Sequence, residues 1–193
     1  HVEYALGGFA SKDGIHAIPR AIASLGTSLG VTFHWGRPVE RILIGGNRRV
    51  RGVRVSGEDL DYDAVVSDVD VTGMYENLLQ DTEAKLYKRY RRLEPSSSGL
   101  VFFWGMSRRF PELLVNNIFL SEDYRREFGQ IFRDRIVPED PTIYVNITSK
   151  VTPSDAPAGG ENWFVLLNVP YVDGQDWDES VSRARDRVVA RLS

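Results

Sequence analysis

The chain has 193 residues, of which 42% are hydrophobic and 26% are charged, a balance typical of a soluble globular protein. It has no cysteine, which excludes disulfides, thiolate zinc sites and a cysteine nucleophile. Its net charge of −3 argues against a nucleic-acid partner. Because it shows neither a membrane-spanning apolar run nor a secretory signal, we expect a cytoplasmic protein.

The first half of the chain predicts one amphipathic helix followed by short strands and further helices. Apolar residues recur at steps of three and four from Ile15 to Leu29, which indicates a helix that begins near Pro19 and ends at Gly30. β-Branched and apolar segments predict strands at 31–35, 39–44, 50–55, 59–62 and 64–67. Helical patterns cover 71–79 and 82–93.

The second half opens with the loop Pro95–Gly99 and an aromatic strand. Strands are predicted at 100–106, 117–120, 142–149 and 162–169. A helix capped by 121–123 and running to 132, and a last helix from about 178, complete the pattern. This alternation of strand runs with helix runs predicts an α+β fold, with antiparallel or mixed sheets flanked by helices.

The sequence offers few residue patterns that would form a catalytic or metal-binding site by themselves. No glycine-rich phosphate loop and no nucleophile elbow is present. The histidines His1, His16 and His34 lack metal-ligand spacing, so we expect no metal site. Asp68 and Asp70 follow an apolar run and precede a helix, where loop and N-cap roles are the ordinary interpretation.

Two further features admit a structural and a functional interpretation. The helix from Thr82 carries its basic side chains on one face and apolar ones on another, which is typical either of a solvated packed helix or of a helix lying on an anionic membrane. The basic residues are Lys85, Lys88, Arg89 and Arg92. The aromatic runs 102–104 and 163–164 belong either to the core or to an apolar pocket.

Two ordered series of short motifs run through the chain. The first half carries Gly7-Gly8, Ile18-Pro19-Arg20-Ala21, Leu29-Gly30-Val31, Val39-x-x-Ile42, Val50-x-Gly52-Val53 and Asp63-Ala64-Val65-Val66-Ser67. The second half carries Pro95-Ser96-Ser97-Ser98-Gly99-Leu100, Asn117-Ile118-Phe119, Ser121-Glu122-Asp123-Tyr124, Asp140-Pro141-Thr142-Ile143-Tyr144 and Glu161-Asn162-Trp163-Phe164. In order and number these motifs resemble the phytoene (carotenoid) desaturase group of FAD-dependent, amine-oxidase-like flavoproteins.

The resemblance implies an internal fragment of a longer flavoprotein that carries its dinucleotide fingerprint elsewhere. It divides the chain into a substrate-side segment at 1–30, strands completing the FAD-binding domain at 31–70, and a truncated substrate-binding domain at 71–193. It places Val39 beside the FAD adenine, and Gly7 and Gly8 on the substrate side of the flavin. Ser67 and Asp68 then close the edge of the nucleotide sheet. The fragment alone is expected to retain no FAD and to be inactive.

The reaction implied by the resemblance removes hydrogen from adjacent carbons of a long polyene lipid. Since a hydrocarbon offers no hydrogen-bonding group, binding must come from apolar contact, at about 25 cal/mol per Å². Phe102, Trp104 and Trp163 are the predicted substrate-lining residues, and no catalytic acid or base is assigned. Isomerisation or saturation of a polyene is related chemistry that the sequence does not distinguish from dehydrogenation. The alternative to an enzyme is a cofactor-free module that binds lipid or a membrane surface.

Overall fold

The computed structural model describes residues 5, 7, 9, 11, 14–46 and 48–193. The chain divides into two compact units, with the boundary between Glu94 and Pro95. Each unit contains its own sheet, and every strand pair in both sheets is antiparallel. Helices accompany both sheets, so the predicted α+β class is confirmed.

The first unit opens with helix α1, Ala17–Ser28. Pro19 lies in its first turn, where a missing backbone N–H is tolerated, and the helix therefore begins slightly earlier than predicted. Leu29 caps the C-terminus, and Gly30 follows with φ of +87°, the left-handed conformation that glycine adopts without steric cost. None of the residues of α1 is buried.

A three-stranded sheet forms the centre of the first unit, with strands β1 (Val39–Ile44), β2 (Val50–Val55) and β3 (Glu58–Asp61) in the order β1-β2-β3. The bounds of β1 and β2 are those predicted from the alternation. Ile42, Val53 and Val55 provide its buried apolar side chains. Gly52 of β2 is also buried, opposite Asp61 of β3.

Two predicted strands of the first unit are not strands in the structure. Residues 31–35 are irregular, and Phe33 stacks on Trp35 with ring centroids 5.2 Å apart. Residues 64–67 are also irregular, and Val66 is 98% exposed. An extended segment becomes a strand only when its backbone groups pair with a neighbour, and neither segment has such a neighbour among the described residues.

Two short helices complete the first unit. Helix α2, Val71–Gly73, continues as a π-helical segment through Leu79, in agreement with the predicted helix at 71–79. The Asp70 side chain accepts hydrogen bonds from the Thr72 and Gly73 amides, which confirms its predicted capping role. Helix α3 covers only Lys85–Tyr90 of the predicted 82–93, because Ala84 is extended and the residues after Tyr90 form turns.

The second unit is built on a four-stranded sheet. Its strands are β4 (Ser98–Met106), β5 (Asn116–Phe119), β6 (Ile143–Asn146) and β7 (Glu161–Val169), in the order β4-β7-β6-β5. All four predicted strands are therefore present, although β6 ends three residues earlier than predicted. Strands β4 and β7 pair along all nine residues of each.

The core of this unit lies on one face of the sheet. Along β7 every second residue is buried, from Glu161 to Val169. The buried apolar side chains pack with Ala184 and Val188 of helix α5, Trp177–Leu192. Helix α5 is therefore the layer that covers this face, as the pattern of burial requires.

A buried carboxylate fixes helix α4, Tyr124–Gly129, which continues as a π-helical segment through Asp134. Glu127 is 1% exposed. It accepts hydrogen bonds from the Ser121 and Thr142 hydroxyls, each at 2.7 Å, and from the Thr142 amide at 2.8 Å. Since both carboxylate oxygens are satisfied, Glu127 ties α4 to the segments before β6.

Candidate functional site

The face of the second sheet opposite the core carries an exposed apolar surface, which we call the open face. Phe103 is 80% exposed and Ile118 is 64% exposed, while the others are half-buried. Side chains two residues apart on a strand share a face, and the pairing of the strands shows which residues of neighbouring strands lie side by side on that face. Its apolar members are Val101, Phe103, Ile118, Tyr144, Phe164 and Leu166.

The register arranges the open face in rows that cross all four strands. One row, which we call the apolar row, carries aliphatic side chains and one tyrosine, whose hydroxyl is its polar atom; it runs Val101, Leu166, Tyr144, Ile118. The next row runs Phe103, Phe164, Asn146, Asn116, and is aromatic in one half and amide in the other. With strands about 4.8 Å apart, each row extends about 14 Å.

Aromatic contacts join the rows. Phe103 and Phe164 meet edge to face with ring centroids 5.5 Å apart, and Tyr144 contacts Phe164 in the same manner at 6.4 Å. Edge-to-face pairs of this kind stabilise one another beyond their area burial. The three rings therefore form a defined apolar surface within the second unit.

A cleft of about 470 Å³ opens beside these rings. Its wall combines Phe103 and Phe164 with the Asn146 side of β6. Polar side chains of the opposite rim bond to one another: Thr148 donates to Asp155 at 2.6 Å, and Asn162 donates to Thr148 at 2.7 Å. The volume and the mixture of apolar wall and few polar groups are typical of a small-molecule site.

Three polar side chains at one end of the open face form what we call the amide cluster: Asn116, Asn146 and Tyr144. The Tyr144 hydroxyl donates to Asn116 Oδ1 at 2.7 Å. Asn146 Nδ2 donates to the same oxygen at 2.8 Å and to the Val115 carbonyl at 3.2 Å. The cluster thus ties the edge strand β5 to β6 at the polar end of the mixed row.

The predicted substrate-lining residues lie on the face that helix α5 covers. Trp163 is 4% exposed, and its Nε1 donates to Glu161 Oε2 at 3.0 Å. Phe102 stacks on Trp104 with centroids 5.6 Å apart, and both are half-buried against the core. Trp104 and Trp163 also line a second cleft, of about 650 Å³, beside Val189 and Leu192 of α5. Contact of the three with substrate stays a prediction.

The sequence analysis named the aromatic runs 102–104 and 163–164 as core or pocket residues but did not separate the ones on the open face from the ones in the core, although a signal for this division exists. Phe103 lies between Phe102 and Trp104, and Phe164 follows Trp163. In a strand neighbouring residues point to opposite faces, so each aromatic run must place a ring on both sides of the sheet. Asn116 and Asn146 carry no comparable sequence signal, because only the strand register brings them together.

The residues predicted to contact FAD lie in the first unit. Val39 begins β1 and is 40% exposed. Gly7 has φ of +80°, and Gly8 lies outside the described residues. Ser67 and Asp68 are exposed, and Ser67 Oγ accepts a hydrogen bond from the Val69 amide at 3.3 Å. Their contact with the cofactor stays a prediction.

The predicted basic helix is partly engaged by neighbouring acids. Lys88 Nζ lies 2.6 Å from Glu83 Oε2, and this contact holds the pKa of Glu83 below its usual value. On the other face Leu86 and Tyr90 are 45% and 39% exposed. Both the basic and the apolar side chains of α3 are therefore accessible.

Neither a metal site nor a membrane-spanning helix is found among the residues that the structure describes. No group of three or more histidine, aspartate or glutamate side chains within them is placed to hold a metal ion. No helix within them combines the length and apolar character that crossing a membrane requires.

The fold is that of a segment of a known oxidoreductase. A solved oxidoreductase from Methanosarcina mazei matches 98% of this chain with a TM-score of 0.63, at 21% sequence identity, and the match covers 40% of that protein. At this identity the likeness concerns the fold alone. No protein-family model matches the chain.

Sequence comparison places the chain among the relatives of carotenoid desaturases. It is 38% identical over 192 residues to a 1-hydroxycarotenoid 3,4-desaturase from Flavobacterium sp. and 42% identical over 193 residues to a zeta-carotene-forming phytoene desaturase from Myxococcus xanthus. It is 34% identical over 194 residues to a 4,4'-diaponeurosporene oxygenase from Staphylococcus aureus. These matches cover 99–100% of the chain and 37–39% of each relative. The predicted resemblance to the phytoene desaturase group is confirmed, and the chain spans less than two fifths of the length of these relatives.

Proposed function

We propose that this chain is part of an FAD-dependent oxidoreductase that dehydrogenates a long polyene lipid. The observation that carries the proposal is its similarity, along its whole length, to two carotenoid desaturases. The open face supports it independently, because an aromatic and aliphatic surface suits a substrate that presents only carbon and hydrogen.

The open face is our candidate for the surface that holds the polyene. Its apolar row runs about 14 Å across the sheet, and the Phe103, Phe164 and Tyr144 rings lie beside it. Burial of about 200 Å² of apolar area would contribute about 5 kcal/mol, at 25 cal/mol per Å². Apolar contact of this size offsets a substantial part of the cost of association without any hydrogen bond, and the rows offer an extended surface on which a long chain can lie.

FAD is the cofactor we propose for the whole protein. When bound, FAD would supply a hydride acceptor for removal of two hydrogens from adjacent carbons, one as hydride and one as a proton. In this chain β1 is one of the two edge strands of its sheet, so one side of its backbone, including Val39, pairs with no strand among the described residues. Gly7, with φ of +80°, allows a close approach of the backbone. Val39, Gly7, Ser67 and Asp68 therefore fit a role in contacting the cofactor through main-chain and small polar groups.

A peripheral contact with a membrane belongs to the same proposal, since a polyene partitions into lipid. The basic residues Lys85, Lys88, Arg89 and Arg92 lie on or directly after α3. Basic side chains beside exposed apolar ones favour an anionic membrane surface. This contact would bring the protein to the phase in which its substrate is dissolved.

The test uses the full-length protein that contains this chain, loaded with FAD and supplied with phytoene in liposomes. Each new conjugated double bond shifts the absorption of the polyene to longer wavelength, and we expect stepwise red-shifted products with stoichiometric reduction of FAD. A loaded protein that binds the polyene and leaves its spectrum unchanged would overturn the proposal.

The 34% identity to the diaponeurosporene oxygenase favours a second candidate, oxygenation of a polyene. The same experiment separates the two, because mass spectrometry shows the loss of two hydrogens for desaturation and the gain of oxygen for oxygenation.

A further inference from the structure

Helix α1 carries a row of large apolar side chains on one side, which we call the α1 stripe. Since a helix turns once in 3.6 residues, apolar residues at steps of three and four share one face. Their exposed fractions range from 50% for Ile18 to 79% for Ile15. None of the residues of α1 is buried, so the described part of the chain does not cover the stripe. Its members are Ile15, Ile18, Ile22, Leu25 and Leu29.

The segment after α1 extends this apolar surface. The Val31 amide donates to the Gly26 carbonyl at 2.9 Å, and a Cβ on Gly26 would come within 3.0 Å of the Phe33 ring. Trp35, which stacks on Phe33, is 76% exposed. Only two side chains between residues 14 and 38 are charged, Arg20 and Arg37, although a quarter of the chain is charged. An exposed surface that is apolar and poor in charge is typical of an interface.

The helix itself requires a packing partner. A helix of 12 residues is marginal in water, and most of its stability in a protein comes from the packing of its apolar side. Gly26 and the β-branched Ile18 and Ile22 lower its intrinsic stability further. Because no residue of α1 is buried, we look for the partner outside the described residues.

The opposite side of α1 argues against a membrane as that partner. A helix that lies on a membrane carries several lysines or arginines on its polar side. Arg20 is the only such residue of α1, and its other polar side chains are Ser24, Thr27 and Ser28. The Thr27 and Ser28 hydroxyls donate to carbonyls of the helix itself, at 3.0 and 2.7 Å. These residues therefore favour a protein surface.

The small area of the stripe argues against a second copy of the chain. A helix of 12 residues is about 18 Å long and about 10 Å wide, so one side of it offers about 200 Å². A stable dimer buries about 800 Å² on each partner. A segment of the same polypeptide needs less area, because the covalent connection raises its effective concentration.

The relatives that the chain matches are long enough to contain such a segment, since the chain covers only 37–39% of each. On the basis of the proposed function, in which this chain is part of a longer oxidoreductase, we propose that α1 docks through its stripe on another segment of that protein. The docking segment lies outside these 193 residues and presents an apolar face without charged side chains. Helix α1 thus joins the first unit to the remainder of the protein.

Thiol labelling of the full-length protein tests this docking. The chain has no cysteine, so mass spectrometry of its peptides detects only an introduced thiol. Ile22→Cys places the thiol in the middle of the stripe. Ser24→Cys is the matched control, because position 24 is exposed and lies about 160° around the helix from position 22. Each rate of maleimide modification is divided by the rate of the same variant unfolded in urea.

We expect Ile22→Cys to react at least about tenfold more slowly than Ser24→Cys in the folded protein, because the thiol is reached only when the docked surfaces separate. Tenfold protection corresponds to a docking free energy of about 1.4 kcal/mol. Leu25→Cys should be protected to a similar extent, and it replaces Ile22→Cys if that variant does not fold.

Equal rates for the stripe and control variants would overturn the docking. Protection that appears only when liposomes of phosphatidylcholine and phosphatidylglycerol are added would replace the protein segment by a lipid surface. Protection that is lost on dilution would replace it by a second copy of the protein. Since labelling needs no substrate, an unprotected stripe in a protein that oxidises a polyene overturns this inference alone. A protected stripe in a protein that oxidises no polyene overturns the proposed reaction alone.

Discussion

Lys150 and Glu161 form an ion pair inside the second unit, with Nζ 2.9 Å from Oε1 and side chains 18% and 5% exposed. Glu161 also accepts hydrogen bonds from Trp163 Nε1 at 3.0 Å and from the Phe110 amide at 3.1 Å. Lys150 in turn donates to the Phe110 carbonyl at 2.7 Å. One carboxylate therefore fixes the start of β7, the Trp163 ring and the segment after β4.

This pair predicts a pH dependence of stability. Burial raises the pKa of Glu161, but the hydrogen bonds from Trp163, Lys150 and the Phe110 amide outweigh it and hold that pKa below its usual value. A depressed pKa contributes stability that is complete above the unfolded value of about 4.3 and is lost as the pH falls through the folded pKa. Urea unfolding at a series of pH values from neutral to acid should show this loss.

Glu161→Gln should remove that part of the pH dependence and lower the free energy of unfolding at neutral pH by about 1.5–3 kcal/mol, the range for a hydrogen bond to a charged group. Glu112→Gln, at an exposed position, is the matched control and should change neither. If the free energy of unfolding of Glu161→Gln fell at acid pH as much as that of the wild-type protein, this result would contradict the role of the pair.

Gly52 predicts a local effect in the first unit. A Cβ at this position would lie 1.9 Å from the Leu60 carbonyl oxygen and 2.8 Å from Asp61 Cα, both backbone atoms of β3. Gly52→Ala should therefore separate β2 from β3 and cost about 2 kcal/mol or more, as overpacking does. Hydrogen exchange read by mass spectrometry should show faster exchange across 50–61. Gly46→Ala, where a Cβ meets nothing within 4 Å, should leave exchange unchanged, and equal effects would refute the steric argument.

The two faces of the second sheet predict opposite consequences for two aromatic substitutions. Phe103→Ser removes an 80% exposed ring whose one aromatic pair is with Phe164, so the free energy of unfolding should fall by no more than about 1.5 kcal/mol while the affinity of the full-length protein for a polyene falls. Trp163→Ala removes a buried ring that packs on Phe110 and should cost about 3–5 kcal/mol of stability. Denaturation and polyene titration of both variants test this. A Phe103→Ser protein with wild-type affinity would remove the open face from the binding surface.

The basic residues of the first unit predict a salt-dependent attachment to membranes. Neutralising Lys85, Lys88, Arg89 and Arg92 with glutamine should reduce co-sedimentation with anionic liposomes, several-fold for each charge removed, and the remaining binding should depend less on salt. The control neutralises the same number of arginines in the second unit, namely Arg108, Arg109, Arg125 and Arg185. Equal losses in the two proteins would show a net-charge effect and refute a specific contact.

The local sequence pattern correctly predicted those strands whose backbone groups pair with each other. The alternation in 39–44 and 50–55 predicted β1 and β2 with their observed bounds. The same reasoning failed at 31–35 and 64–67, because a β-branched segment needs a backbone partner as well as propensity. Helix α3 was predicted too long for a related reason, since the helical spacing of side chains continues into turns that follow Tyr90.

For the candidate site, the sequence by itself determined that the aromatic runs lie in strands, and therefore that Phe103 and Phe164 point away from Phe102, Trp104 and Trp163. It could not decide which set faces the core, because β7 is apolar on both sides, with Val165 and Leu167 on one and Phe164 and Leu166 on the other. Helix α5 decides this by packing Ala184 and Val188 against the Trp163 side. Likewise, only the pairing of β5 with β6 brings the amides together, since register depends on contacts between segments distant in the chain.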